Sequence, residues 1–250
     1  MKITAAITTF NRSEQLKNAI KSVENQSFLP SELIIVDDNS TDETENFCKS
    51  FSSKFPVIYL RNNENKGACF CRNWAIKQAS GEYIAFLDDD DEWESGKLSE
   101  QNEFAEKKFD LIYTAAKFNN KIYFHKPFPI TLGNFVGITS TMMINLQFLR
   151  KIGGFDEKLP ALQDYELVIR LINNGAKVKG IKIPLVKYYP PNNENISISA
   201  EKFFSASKII LSKTAFLAKP LQFFGLFRIF MQKFIKSKEF RANIWKKGKK

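Results

Sequence analysis

Four consecutive aspartates, Asp88-Asp89-Asp90-Asp91, end the apolar run Glu82-Tyr83-Ile84-Ala85-Phe86-Leu87 and are followed by Glu92-Trp93. Adjacent carboxylates repel one another, so the run is costly unless solvent or a cation neutralises it. Hard oxygen ligands of this kind suit a divalent metal that carries a phosphate ester. The apolar run follows a turn signal, Ser80-Gly81, and predicts a buried strand. The carboxyl ends of strands are where open α/β sheets bind their ligands. A solvated turn or a helix N-terminus accounts for the same four acids, and the run alone does not decide between these readings. Other polar segments stand at similar places: Thr8-Thr9-Phe10-Asn11-Arg12, Val36-Asp37-Asp38-Asn39-Ser40-Thr41-Asp42, Asn65-Lys66-Gly67-Ala68-Cys69-Phe70-Cys71-Arg72-Asn73, Gly153-Gly154-Phe155-Asp156-Glu157 and Gln163-Asp164-Tyr165-Glu166.

Other chemistries are poorly served. The single histidine, His125, has no partner pattern, which argues against serine or cysteine triads. Cys48, Cys69 and Cys71 are too few and too oddly spaced for a disulfide framework, and a reducing compartment is expected. Cys69-x-Cys71 lacks the second Cys or His cluster of a zinc site, and small buried side chains are expected there. The N-terminus lacks the long apolar region of a signal peptide, and no apolar stretch is long enough to span a bilayer. Net charge is +10, but residues 201–250 hold 13 Lys/Arg against 2 Asp/Glu, so the preceding 200 residues are close to neutral. A neutral body does not suit a nucleic-acid-binding core, and no nucleic-acid partner is expected.

The elements that must position these segments alternate. Strands are predicted over Lys2–Thr9, Leu33–Val36, Val57–Leu60 and Glu82–Leu87. Between them, Ser13 is expected to cap one helix, Thr41 or Asp42 to open a second that runs to about Ser52, and Gly67–Ala79 to form a third. Alternation of this kind means a mainly parallel α/β sheet flanked by helices. From about residue 95 the pattern becomes α+β. Helices are expected over Lys97–Lys107 and Gln163–Asn173, strands over Asp110–Ala116, Lys121–Phe124 and Thr139–Ile144, and a hairpin at Asn119-Asn120. After Pro220, Phe223, Phe227, Phe230 and Phe234 share one helical stripe that runs into a basic end. Such a helix suits an anionic membrane surface, the favoured reading, with packing on the catalytic body or a partner as its alternative.

The order T-x-x-N-R, V-D-D-x-S-x-D, N-x-G-x-x-x-x-R-N, F-L-D-D-D-D, G-G-F-D-E and D-Y-E resembles the inverting family 2 glycosyltransferases with the GT-A fold, a Rossmann-like mixed sheet. The resemblance covers about residues 1–190. It implies a catalytic domain over 1–200, with a nucleotide-binding half over about 1–95 and an acceptor half over 96–200, and leaves 201–250 outside as a basic helical tail. It further implies a UDP-sugar donor, a saccharide acceptor that is lipid-linked, and Mn²⁺ or Mg²⁺. Thr8 and Phe10 would line the base pocket, with Arg12 also at the donor, and Asp38 would accept from a uracil ring N–H. Arg72 would approach the base or diphosphate. Asp88-x-Asp90 would be the D-x-D element, with Asp90 on the metal, Asp88 nearer the ribose, and Asp89 and Asp91 as the next candidates. Asp164 would be the general base, with a helix N-cap as its alternative role. Turn formation and capping are the alternatives for Asp37 and Asp42, and capping is favoured for Asp42.

Two departures from the family pattern stand out. The residue before the base is Gln163 rather than Glu, and the segment Tyr188–Asn195 lacks a histidine that many relatives carry. The implied function is transfer of a hexose or N-acetylhexosamine in surface-glycan synthesis (lipopolysaccharide, O-antigen or capsule). The expected setting is cytoplasmic, peripheral on the inner face of the membrane. Two competitors remain. A sugar nucleotidyltransferase would need a glycine-rich phosphate loop after the first strand, and Thr8–Arg12 has no glycine. A nucleotide- or glycan-binding protein without catalysis is kept open by Gln163.

Overall fold

The computed structural model describes residues 1–119, 121–124, 138–189, 200–213 and 226–227. His125, the stretch 190–195 and most of the Phe stripe lie outside these residues. The alternating half contains β1 (Ile3–Thr9), α1 (Ser13–Glu24), β2 (Glu32–Asp37), α2 (Thr44–Ser50), β3 (Val57–Arg61), α3 (Ala68–Gln78) and β4 (Tyr83–Asp88). Then follow β5 (Glu92–Trp93), α4 (Lys97–Glu106), β6 (Leu111–Phe118), β7 (Lys121–Tyr123), β8 (Met142–Asn145), α5 (Leu146–Lys151), α6 (Gln163–Asn173), β9 (Val178–Lys187) and α7 (Ala200–Lys213).

The strands form one sheet in the order β3-β2-β1-β4-β8-β6-β9-β5, with β7 paired to β6. The first four are parallel, β8 runs antiparallel to both β4 and β6, and β6 and β9 are parallel. β1, β2 and β4 are almost wholly buried apolar strands, as parallel strands covered on both faces must be. Their register sets Thr8 level with Asp88 and Thr9 level with Asp37. Three of the polar segments therefore emerge side by side at one carboxyl edge.

Several local expectations change. Ser13 does not cap α1: Arg12 stands at the cap with no side-chain cap bond, and Ser13 N donates to Asp42 Oδ2 at 2.9 Å. Asp42 Oδ1 also accepts from Thr44 N at 3.1 Å and Thr44 Oγ1 at 2.6 Å. One carboxylate thus serves the first turns of α1 and α2, where the helix dipole favours negative charge. Thr139–Thr141 is a 3-10 turn rather than strand, and β8 begins after it. The short helix α5 and the strands β5 and β9 were not anticipated from the sequence.

Residues 201–213, placed in the tail by the sequence pattern, form α7. Its Phe203, Ala206 and Ile210 join Leu159, Leu162, Tyr165 and Ile169 in a small apolar cluster of their own. No helix among the described residues is long and apolar enough to cross a membrane.

Candidate active site

The loops at the carboxyl edge are tied to one another before any ligand is considered. Asn11, in the left-handed region at φ 53°, donates its N–H to Ser40 Oγ at 2.9 Å and accepts from Thr41 N at 2.7 Å. Asp37 is fully buried and accepts from Ser40 N (2.8 Å) and Tyr59 OH (2.6 Å), a turn-forming role. Asp38 accepts from Asn62 Nδ2 (2.7 Å), Lys66 N (2.8 Å) and Gly67 N (2.7 Å). An ionised carboxylate has about four acceptor positions, so Asp38 holds the loop before α3 and keeps roughly one position for a ligand. Gly67, at φ 86°, opens α3 from that loop in a conformation that side chains disfavour.

The aspartate run forms a tight turn after β4 and divides its charge among four partners. Asp88 accepts from Arg72 Nη2 at 2.6 Å. Asp89 and Asp90 share Arg12 Nη1 at 2.9 and 2.7 Å. Asp91, buried, accepts from Ser140 Oγ at 2.6 Å and Tyr189 N at 3.1 Å. Burial, together with the charges of Asp88 and Asp89, pushes the Asp90 carboxyl up to about 6 despite Arg12. Burial, then Asp88, raises Asp91 as well. Burial alone would lower both guanidiniums, but Asp89 and Asp90 raise Arg12, and Asp88 raises Arg72.

Ser140 braces this turn from behind, and sequence reasoning missed it. Its Oγ accepts from Asp88 N at 3.0 Å while donating to Asp91, and its carbonyl accepts from Trp93 Nε1 at 3.0 Å. Trp93 in turn lies under the buried ammonium of Lys97, 4.0 Å from the ring centroid. Burial holds Lys97 well below the usual lysine range. The available signal was Thr139-Ser140-Thr141 inside an apolar stretch, since buried hydroxyls need partners.

Thr8, Phe10, Arg12, Asp38, Arg72, Asp88, Asp89 and Asp90, all singled out from sequence, line one cavity of about 550 Å³ together with Gly67 and Ala68. Phe10 presents 43 % of its surface there. Asp164 does not line the cavity. It stands in the first turn of α6, half-buried, and accepts from Tyr165 N at 2.8 Å. The cap position belongs to Leu162, in a left-handed conformation, so Asp164 is not the N-cap. Its charge acts on Arg72, which lies between Asp88 and the Phe155 ring, 5.4 Å away. Gln163 Nε2 donates to Leu159 O at 3.1 Å, a bond that a glutamate could not make.

The glycine-rich segment and α3 are locked together. Asn73 accepts from Phe155 N (2.7 Å) and donates to Phe155 O (2.9 Å) and Glu157 Oε1 (2.7 Å). At Gly154, φ +67°, a Cβ would fall 2.4 Å from Asn73 Oδ1.

Among the described residues, no three His, Cys, Asp or Glu converge to hold a metal by themselves. The aspartate turn nevertheless sets four carboxylates against two guanidiniums, and burial, with the charge of Asp88 added, raises Asp90. Asp90 and its neighbours fit a cation shared with a ligand's phosphates, since Mg²⁺ is commonly held by one or two carboxylates plus phosphate.

The chain is similar to known glycosyltransferases. The chain is 30 % identical over 223 residues to the putative teichuronic acid biosynthesis glycosyltransferase TuaG of Bacillus subtilis, covering 82 % of this chain and 84 % of TuaG. It is 29 % identical over 211 residues to WfaP of Escherichia coli, a UDP-Glc:α-D-GlcNAc-diphosphoundecaprenol β-1,3-glucosyltransferase, covering 80 % and 81 %. S. aureus TarS 1–349 in complex with UDP-GlcNAc superimposes with a TM-score of 0.76 at 21 % identity, over 92 % of this chain and 73 % of that one. The Pyrobaculum calidifontis mannosyltransferase PcManGT, in complex with GDP-Man and Mn²⁺, gives 0.63 at 15 % identity, over 91 % and 69 %. At these identities the two structures establish the shared fold, that of the GT-A glycosyltransferases. The family model "Glycosyl transferase family 2" matches residues 4–156. With more than half its length inside that family, the chain belongs to glycosyl transferase family 2 and is a glycosyltransferase that moves sugars from nucleotide sugars.

Proposed function

We propose that the enzyme transfers a hexose or N-acetylhexosamine from a UDP-sugar to a hydroxyl of a lipid-linked saccharide, with inversion, in the synthesis of a bacterial surface glycan. The observation that carries this reading is the one cavity lined by all seven residues assigned to the donor and by Asp90, assigned to the metal, with Arg72 of that lining also feeling the charge of Asp164. Its volume lies within the roughly 300–1,000 Å³ of small-ligand sites. WfaP supports the acceptor class by its name, and the TarS complex supports a UDP-sugar.

Phe10, exposed at the cavity wall, offers a face on which a base can stack. The remaining acceptor position of Asp38 suits a ring N–H donor. The first residues of α3 at Gly67 and Ala68 present a helix N-terminus to the cavity, favourable to a diphosphate. Arg12 and Arg72 hold the aspartate turn and offset part of its charge. Asp164 takes the proton from the acceptor hydroxyl as it attacks, so no covalent enzyme intermediate is needed. A divalent cation, held by Asp90 with support from Asp88 or Asp89, would stabilise charge on the departing diphosphate. PcManGT, in complex with GDP-Man and Mn²⁺, supports a divalent cation at the donor.

The lipid-linked acceptor also gives the basic C-terminal sequence a purpose. The Phe stripe and its lysines would rest on an anionic membrane at the cytoplasmic face. Removing residues 228–250, which leaves Leu226 in its cluster with α6 and α7, should lower vesicle binding while sparing transfer to a soluble acceptor; unchanged partitioning would refute the membrane role. A donor screen for UDP release, with and without Mn²⁺, tests the reaction itself. Turnover independent of metal counts against the Asp90 assignment. Wild-type turnover by Asp164→Asn counts against the base, and UDP binding without turnover would favour a binding protein.

A further inference from the structure

We propose that α7 belongs to the catalytic unit and that Lys213, at its end, is a positioning residue that holds the first turn of α6, and so Asp164, in place for proton abstraction. The proposal rests on the base reading of Asp164 given above.

α6 has two buried faces. Leu167, Val168 and Leu171 pack into the core against the sheet. Leu162 and Tyr165, the residues flanking Gln163-Asp164, and Ile169 do not; they pack in a separate cluster with Phe203, Ala206 and Ile210 of α7 and with Leu226. The first turn of α6 has no side-chain cap, and it starts from Leu162 at φ 59°. What fixes the turn is therefore mostly contact from outside, and α7 supplies it.

The polar contacts follow the same route. Lys213 Nζ pairs with Asp156 and with Glu166 Oε1, the latter at 3.2 Å. Glu166, two residues after Asp164, is also held by Arg170 at 3.0 and 2.8 Å. Arg170 donates onward to Ile152 O (2.6 Å) and Gly154 O (2.7 Å). Lys213 thus joins α7 to the first turn of α6 and to the segment that Asn73 holds against α3. A small shift of a reacting group costs rate far more than it costs binding. Loss of this tie should appear in turnover and not in donor affinity.

The test uses the full-length chain, UDP release from the donor identified by the screen, and calorimetric binding of UDP. Lys213→Ala is expected to lower kcat about tenfold while donor KM and UDP affinity stay within about twofold. Lys213→Arg, which keeps charge and reach, is expected to restore kcat to within about twofold. Thermal melting checks that each variant folds, and Lys213→Met replaces the alanine variant if that one does not. An unchanged kcat overturns the proposal. So does a parallel loss of UDP affinity, which marks general loosening, or a failure of arginine to rescue. Asp164→Asn separates the two readings. If it turns over like wild type, the base assignment fails; if it is inactive and Lys213→Ala is unimpaired, only the positioning proposal fails.

Discussion

Arg72→Met should be partly repaired, in stability alone, by a second substitution that also removes charge. Arg72 and Asp88 form a 2.6 Å ion pair in which the side chains are 9 % and 28 % exposed. Removing one partner of a buried pair costs about 3–5 kcal/mol, because the other charge is left unpaired. Asp88 keeps some access to water, so the lower end applies, about 3 kcal/mol. The stranded carboxylate also sits among Asp89, Asp90 and Asp91, and its charge already disfavours ionisation of all three. Asp88→Asn added to Arg72→Met removes the unpaired charge and that repulsion together. Methionine can still pack against the Phe155 ring, which the guanidinium now faces. The double variant should therefore recover about 2 kcal/mol. For a chain of this size that corresponds to a Tm loss of about 6–12 °C for the single variant and a return of about 4–8 °C for the double. UDP affinity, measured by calorimetry, should stay low in both. A double variant no more stable than Arg72→Met alone would refute the ion-pair reasoning.

Gly154→Ala should cost about 3 kcal/mol or more by urea denaturation. It strains a left-handed residue and drives a Cβ into Asn73 Oδ1, breaking bonds to Phe155; a change below about 0.5 kcal/mol would contradict the clash. Ser140→Ala should cost about 1–3 kcal/mol and weaken UDP binding, because Asp88 N and Asp91 both lose a partner. Unchanged UDP affinity would mean that the brace does not act on the aspartate turn. Burial pushes the thiols of Cys48, Cys69 and Cys71 up to about 12. Iodoacetamide at pH 8 should therefore leave the native protein unmodified and label all three in denaturant, as mass spectrometry would show. Rapid native labelling of Cys71 would show that its wall of the cavity opens.

The parallel half was legible because each strand there is a short apolar run ending in polar residues, and α1 repeats apolar positions at helical period. The cavity residues were legible as types, carboxylates at strand ends and arginines at or within the helices that follow, although Asp37 and Asp42 in the same segments serve a turn and two helix starts. Their partners were not. Nothing local in the chain indicates that Asp42 serves the helix opened by Ser13, or that Asp38 spends three bonds on the loop before α3. Ser140 acts across more than 45 residues of sequence, through a turn whose apolar flanks suggested only a strand. The second half was harder because β5 is two residues long and β9 joins its neighbours through an irregular register. The basic charge of residues 201–250 marked them as one tail, which concealed that their first helix packs against α6.

The amide of Asn73 has a consequence for recombining this enzyme with its relatives. Asn73 pairs with both backbone polar groups of Phe155, as a neighbouring strand would, and Gly154 leaves the space for it. A chimera whose crossover falls anywhere between residues 73 and 153 takes the two sides of this stitch from different parents. It keeps the stitch only where the parent that supplies residue 73 carries the amide and the parent that supplies residue 154 carries the glycine. Grafts intended to change acceptor choice should therefore move residue 73 together with residues 153–157, or leave all of them untouched.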